Sequence, residues 1–397
     1  MALNDFQPQF NNTYQETFQR ASVAKKVMNT RFEENLKYGA SLTRFAFDIT
    51  GVRVRSVTRG SASTIDSVTD TTELLTINIE KEAVFHISDG EVTQAGPLNP
   101  AEEIGKQMGL KVALDLDARC FGEVVNAAFD FDNGDLTTLT STATPITLSS
   151  TTVPQMTTRM NAKLTRRNNI VETKSEMVFV VDSYAMADID QFLISKNIDV
   201  AGTVFMNGYE GLIRGAKMYS SENLTGETVL TVTVNPSNGE VAVINGISFN
   251  FVTTIGAVAG NVLIGGSLAT TLTNLAGLIN NPDTTSANQV ALSAANADIV
   301  STKWTATAGA TTVSTVMVGS GRPIVSETLA NGSFTTTMFH AYYGKRGAID
   351  LVIQDIKPVD MRETTDRRGT NVFSSYLAGL KTYTDGSKKF LDVLIAA

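Results

Sequence analysis

The chain is poor in the residue types most chemistry needs. It has one cysteine in 397 residues, Cys120, so an internal disulfide and a multi-cysteine metal site are both excluded. A lone cysteine on a helical pattern reads as a small packed hydrophobe. Its two histidines, His86 and His340, fall in no ligand-spaced cluster and read as structural. Charged residues make up 18% against a usual quarter, and the net charge of −8 argues against a general nucleic-acid-binding face. No run of 18 apolar residues suggests a membrane span. The opening MALNDFQPQFNNTY lacks the charged start and apolar core of a secretory signal, so cytoplasmic synthesis is expected. There is no Gly-Lys-Ser/Thr phosphate loop, no Gly-x-Ser-x-Gly elbow and no histidine pair at helical spacing. No enzyme, cofactor or metal is expected. FDFDNGD carries Asp130, Asp132 and Asp135 but lacks the glutamate a calcium loop needs, and it reads as a turn. GSGRP at 319–323 lacks the third glycine and the following helix of a dinucleotide fingerprint.

What the chain does have is extensions. Pro100–Ala128 reads as one helix: Pro100 suits the first position, Glu102 and Glu103 the first turn, and Ile104, Met108, Val112 and Leu116 recur every fourth residue. Such a helix would run roughly 40 Å. It keeps Gly105, Gly109 and Gly122, each of which costs about 1 kcal/mol against alanine, so close backbone neighbours are expected, with return strands from 350–376 as the candidates.

Before it, Phe6, Phe10, Tyr14 and Phe18 share one helical face in an N-terminal arm, which needs a surface on its own subunit or on a neighbour. LTRFAFDITGVRVRSVTRG alternates Val52, Val54 and Val57 with Arg53, Arg55 and Arg59, a strand with one basic face. LLTINIEKEAVFHIS alternates again and returns, giving a long hairpin or two strands of an ordinary sheet. A hairpin by itself is marginal in water and would need a partner, most economically another copy of the chain.

After the helix, 151–224 reads as α/β, with EMVFVVDS a strand buried on both faces and YAMADIDQFLISKN the helix behind it. The 226–334 block is rich in Thr, Val, Ala, Asn and Gly. It reads as a small β-rich module with its own core, with turns at Asn238–Gly239 and Asn245–Gly246 and one helix in SLATTLTNLAGLINNP. The last stretch reads as strand, turn and strand, then a hairpin whose tip holds Arg362, Glu363, Asp366, Arg367 and Arg368, then a final strand, KKFLDVLIAA. A tip of mixed sign is either solvated or suited to self-complementary contact around a symmetry axis.

The order of these elements resembles the tailed-bacteriophage major capsid proteins of the Hong Kong 97-type fold. The strings that carry the resemblance are NGYEGLIRGAKMYSSENL and YYGKRGAIDLVIQDIKPVDMRETTDRRGTNVFSSYLAGLKTY. It covers about three quarters of the chain. It implies an α+β fold with an N-terminal arm at 1–41 and an E-loop hairpin at 42–98. A peripheral domain with the spine helix would span 99–135 and 350–376. An axial domain would take 136–225, 335–349 and 377–397, with an insertion domain at 226–334. It further implies a coat protein forming pentamers and hexamers of an icosahedral head around double-stranded DNA, located in the virion. Its partners would be other copies, a separate scaffolding protein, a portal and decoration protein. The intersubunit contacts would be Arg53, Arg55, Arg59, Arg362, Glu363, Asp366, Arg367 and Arg368. An encapsulin-like compartment of the same fold, and a virion surface adhesin or receptor-binding protein, are the alternatives.

Overall fold

In the computed structural model, the residues described exclude 1–13, 19–20, 33–39, 49–51, 57–58, 61–64, 67–68, 89–99, 139, 169–175, 197–211, 214 and 364–367. In chain order, the strands begin with β1 (Ser41–Asp48) and β2 (Thr69–Ile87). Helix α1 (Pro100–Gly122) leads to the short β3 (Asp130–Phe131) and to α2 (Thr152–Asn168). The α/β stretch is β4 (Met177–Val181), α3 (Ser183–Lys196), β5 (Leu212–Ile213) and β6 (Ala216–Ser220). Then come β7 (Thr225–Val232), β8 (Val241–Ile244), β9 (Ile247–Val252), β10 (Asn261–Leu263) and α4 (Leu268–Asn280). The chain continues through β11 (Trp304–Ala308), β12 (Thr312–Met317), β13 (Val325–Glu327) and β14 (Gly332–Lys345). It closes with β15 (Asp350–Glu363), β16 (Thr370–Lys381) and β17 (Phe390–Ala396). This is an α+β chain, and its contacts divide it into two compact units.

The first unit comprises Met1–Ala21, Val27–Ala113 and Gly347–Lys388. Its sheet runs β1-β2-β16-β15, all antiparallel. The hairpin is therefore not a free two-stranded ribbon: β2 pairs β1 over Thr69–Thr76 and β16 over Ile77–Ile87. Along β2, Thr72, Leu74, Thr76, Asn78, Glu80, Glu82 and Val84 are exposed, while the residues between them are buried or half-buried. That is the period-2 signature of a sheet with one covered face. Leu75, Val352 and Tyr383 form a buried cluster on the covered side.

The second unit comprises Ser22–Lys26, Leu114–Arg346 and Lys389–Ala397. Strand β14 is its staff. Gly332–His340 pairs β7, Tyr342–Lys345 pairs β4, and Met338–Gly344 pairs β17 along the other edge. β4 is buried along its whole length, as its uninterrupted apolar sequence requires. Behind β7 lies a core drawn entirely from Leu230–Phe334, with Phe249, Phe251, Leu272, Leu275, Leu278, Trp304 and Val313 at its centre. Ser267 caps α4 by accepting from the Thr270 amide, and Leu272, Leu275, Leu278 and Ile279 put one face of that helix into the core.

Several expectations are corrected. The alternation does not continue as a strand through 52–56. β1 lies earlier, at Ser41–Asp48, and residues 52–56 are irregular, with both valines and both arginines exposed. A two-residue period specifies a strand only when one face has something to lie on. The 226–334 block has its own core and its own four-stranded sheet, β10-β9-β8-β13, but it is not separate from the larger sheet: its start falls inside β7 and its end inside β14, and β7, β12 and β11 continue the ladder of β14. The boundary drawn between 376 and 377 likewise falls inside β16. Finally, α1 ends at Gly122, with a 3-10 turn over Glu123–Asn126, and spans ~35 Å at 1.5 Å per residue. The neighbours of Gly109 and Gly122 are not the return strands. A Cβ on Gly109 would stand 2.6 Å from the Tyr14 carbonyl oxygen, and one on Gly122 would stand 3.1 Å from the Val318 side chain.

β11 stands at one end of the sheet order, where unpaired backbone groups invite another strand. The Asn280 side chain closes that edge. Its amide donates to the Ala306 carbonyl at 2.8 Å, and its oxygen accepts from the Ala306 amide at 2.8 Å. Asn280→Ala is expected to cost about 1–3 kcal/mol and to open the edge. Light scattering on warming checks this: earlier aggregation than the parent protein is the expected result, and an unchanged onset would refute it.

Candidate assembly surfaces

Between β1 and β2, Asp66 ties the described stretches 52–56 and 65–66 together. Asp66 accepts from the Arg53 amide at 2.9 Å and pairs with the Arg55 guanidinium at 2.6 Å. These two bonds hold Asp66 below the usual carboxylate range. Arg53, Arg55 and Arg59 are exposed, and Arg55 already serves its own loop. Beside them three branched apolar side chains stand in solvent: Val52 at 50% exposure, Ile65 at 92%, and Val54 fully exposed. The alternation sets these valines on the face opposite the arginines. Among the described residues Val54 and Ile65 are left almost wholly uncovered and Val52 half covered.

The second hairpin, β15–β16, brings Arg362 opposite Asn371 and Glu363 opposite Thr370. Arg362 lies over the Phe373 ring, 5.2 Å from its centroid, so part of its charge is engaged within the hairpin. Arg368 is exposed. Asp366 and Arg367 lie outside the described residues. The tip thus places Arg362 and Arg368 at one end of the sheet.

Of the arm residues, Phe6 and Phe10 lie outside the described residues. Tyr14 and Phe18 do share a helical face, with rings stacked 6.4 Å apart at 7°, and both are buried. The Tyr14 backbone packs on Gly109, so this part of the arm lies on its own subunit.

The interior holds charges that sequence patterns did not single out. Asp117, buried on α1, accepts from the Ser22 hydroxyl at 2.6 Å, the Val23 amide at 2.7 Å and the Ala24 amide at 3.1 Å. Burial pushes its carboxyl up, against the pull of those donors and of Lys26. Asp132 caps the 3-10 turn at 133–136. It accepts from the Gly134 and Thr142 amides and the Ser141 hydroxyl, which makes FDFDNGD a capped turn. Asp135 pairs with Lys163, both buried, at 2.5 Å. Lys163 also donates to the Asp130 carbonyl and stands 5.9 Å from the Phe131 ring centroid. In GSGRP, Arg322 reaches Asp182 at 3.0 Å and lies between the rings of Tyr184 and Phe339, while Asp182 caps α3 through the Ala185 amide. Cys120 is fully buried, and burial with Asp117 and Glu123 nearby pushes its thiol well above the usual range, which disables it as a nucleophile. Among the described residues no cluster of three or more His, Cys, Asp or Glu side chains could hold a metal ion.

No family model matches the sequence, and no curated protein matches it. Solved structures do. A structure titled for Mycobacterium phage Che8 is similar at 12% identity and a TM-score of 0.48, with 94% of this chain and 90% of that one covered. The capsid structure of cyanophage P-SCSP1u is similar at 9% identity and a TM-score of 0.47, covering 93% and 86%. A virus-like particle from Pyrococcus furiosus is similar at 10% identity and a TM-score of 0.39, covering 97% and 96%.

Proposed function

We propose that this chain is the coat subunit of a phage head of the Hong Kong 97 type, assembling through pentamers and hexamers into an icosahedral shell around double-stranded DNA. One observation supports this above the rest: the hairpin end exposes Val52, Val54 and Ile65 next to Arg53 and Arg59. A single chain gains nothing by holding branched apolar side chains in water, whereas a neighbouring copy would cover them at about 25 cal/mol per Å² buried. The order of elements agrees: arm, hairpin, long helix, α/β sheet, returning hairpin. Each contact of this kind is modest, and symmetry repeats it around every capsomer.

Arg53, Arg59, Arg362 and Arg368, with Glu363, Asp366 and Arg367, are assigned to contacts between copies, and Arg55 to shaping the hairpin end. The domain roles follow the same scheme, with 226–334 as an insertion carried by the axial domain. A scaffolding protein, a portal and decoration protein would complete the particle. The net charge of −8 suits a container that does not grip its DNA. The protein is placed in the virion and its synthesis in the host cytoplasm.

Replacing residues 49–68 by a short turn tests the proposal. The variant is expected to stay soluble with unchanged circular dichroism and to form no closed shells in negative-stain microscopy. Normal shells would overturn the assignment. The content of parent particles separates the alternatives, because nucleic acid supports the phage head and protein cargo an encapsulin-like compartment.

A further inference from the structure

Three neighbouring strands of the second unit each place one ionisable side chain at the same spot. Glu227 comes from β7, His340 from β14 and Asp392 from β17. The register sets the spacing: Glu227 pairs with Met338 and Asp392 with Tyr342, two residues to either side of His340. His340 Nδ1 lies 2.7 Å from Asp392 Oδ2, and Nε2 lies 3.4 Å from Glu227 Oε2. Beyond Glu227 the chain reaches β12, where the Ser314 hydroxyl donates to Oε1 at 2.8 Å. His340 and Asp392 are buried at 4% and 3% exposure.

We propose that this arrangement is a charge clamp in which a protonated His340 ties β7 and β17 to β14, and that the second unit loosens when alkali removes its proton. The ring geometry carries this. A neutral imidazole has one N–H donor and one bare nitrogen. Here each ring nitrogen faces a carboxylate oxygen, so the bare nitrogen would meet a negative charge without a hydrogen between them. With both nitrogens protonated, Asp392 takes a hydrogen bond and Glu227 an ion pair at 3.4 Å, and the buried net charge of the trio is −1 instead of −2.

The surrounding charges point the same way. Burial opposes a charged ring, but Asp392 and Glu227 outweigh it and raise His340 from 6.5 to about 10. Burial pushes Asp392 up while the imidazolium pulls it down. Burial also pushes Glu227 up, and the bonds from His340 and Ser314 bring it below its ordinary value. Asp130 on β3 is the further carboxylate that senses the ring, and Lys163 partly offsets it. A group whose folded pKa is raised stabilises fully below its unfolded value. The clamp's contribution is therefore complete below pH 6.5 and is lost as the pH rises through about 10.

Thermal unfolding of the full chain, followed by Trp304 fluorescence across that pH range, tests the clamp. Trp304 is the chain's one tryptophan and sits in the core behind β7. The parent midpoint is expected to fall steadily between pH 6.5 and about 10. In Glu227→Gln the amide can donate to a bare Nε2, so a neutral ring is better accommodated and the fall should shrink, although Asp392, the larger raising influence, remains. His340→Gln should start lower at neutral pH and lack the fall as well. If Glu227→Gln follows the parent curve in parallel, the clamp is wrong, and that variant decides the matter even where His340→Gln does not fold.

Discussion

Asp135→Ala is expected to be the most damaging single change in the second unit. It leaves the Lys163 ammonium, 4% exposed, without its carboxylate. Breaking one side of a buried pair costs about 3–5 kcal/mol, because a stranded charge must be desolvated or drag water inward. In a unit of this size that corresponds to a drop of roughly 10 °C in Tm. The double variant Lys163→Met with Asp135→Asn removes the charge yet keeps an acceptor for the Asp132 amide, which Asp135 now serves at 3.1 Å. It is expected to recover more than half of the loss. Calorimetry on the three proteins checks this, and a double variant no better than Asp135→Ala would refute it. The pair is not read as a source of stability in itself: an apolar substitute of similar volume often does as well.

Asp117→Ala is expected to release the segment that enters α1's neighbourhood from the arm. Three donors, the Ser22 hydroxyl and the Val23 and Ala24 amides, converge on that carboxylate. Each buried donor left without an acceptor costs about 1–3 kcal/mol, so local opening of residues 22–26 should become about a hundredfold more frequent. Trypsin reads this directly, because Lys25 and Lys26 lie in that segment. Under native conditions their cleavage should accelerate by about two orders of magnitude while the global unfolding midpoint moves much less. Asp117→Asn, which retains one acceptor oxygen, should fall between. Unchanged cleavage in Asp117→Ala would mean that the segment is held by the packing of Ala24 and Val27 alone.

These two carboxylates show where reading the sequence stops. Asp117 occurs in LDLDARC and Asp135 in FDNGD, and neither string says which of its acids is buried. Ser22 and Asp117 are 95 residues apart, Lys163 and Asp135 are 28 apart, and His340 and Asp392 are 52 apart. No local pattern links such pairs. One signal was present for Asp132: an Asx-Asn-Gly-Asp run is a capping-turn sequence, and it is a capped turn. The basic alternation misled at 52–56 for the opposite reason, since periodicity reports a preference for having a covered face and not whether a cover exists.

Local order was legible wherever short-range physics dominates. Pro100 opening α1, the all-apolar run of β4, the Asn–Gly turns around β8 and β9, and the leucine spacing of α4 all act within a few residues, and all are where the sequence placed them. The arrangement of those pieces was decided only by the fold. That β2 would leave β1 and join β16, that β14 would serve both the 226–334 block and the α/β sheet, and that the arm's Tyr14 would fill the notch at Gly109 depend on contacts between distant segments. Propensity and capping are sums over neighbours in sequence. Strand partners, buried ion pairs and tight backbone crossings are sums over neighbours in space, and those exist only once the chain has closed on itself.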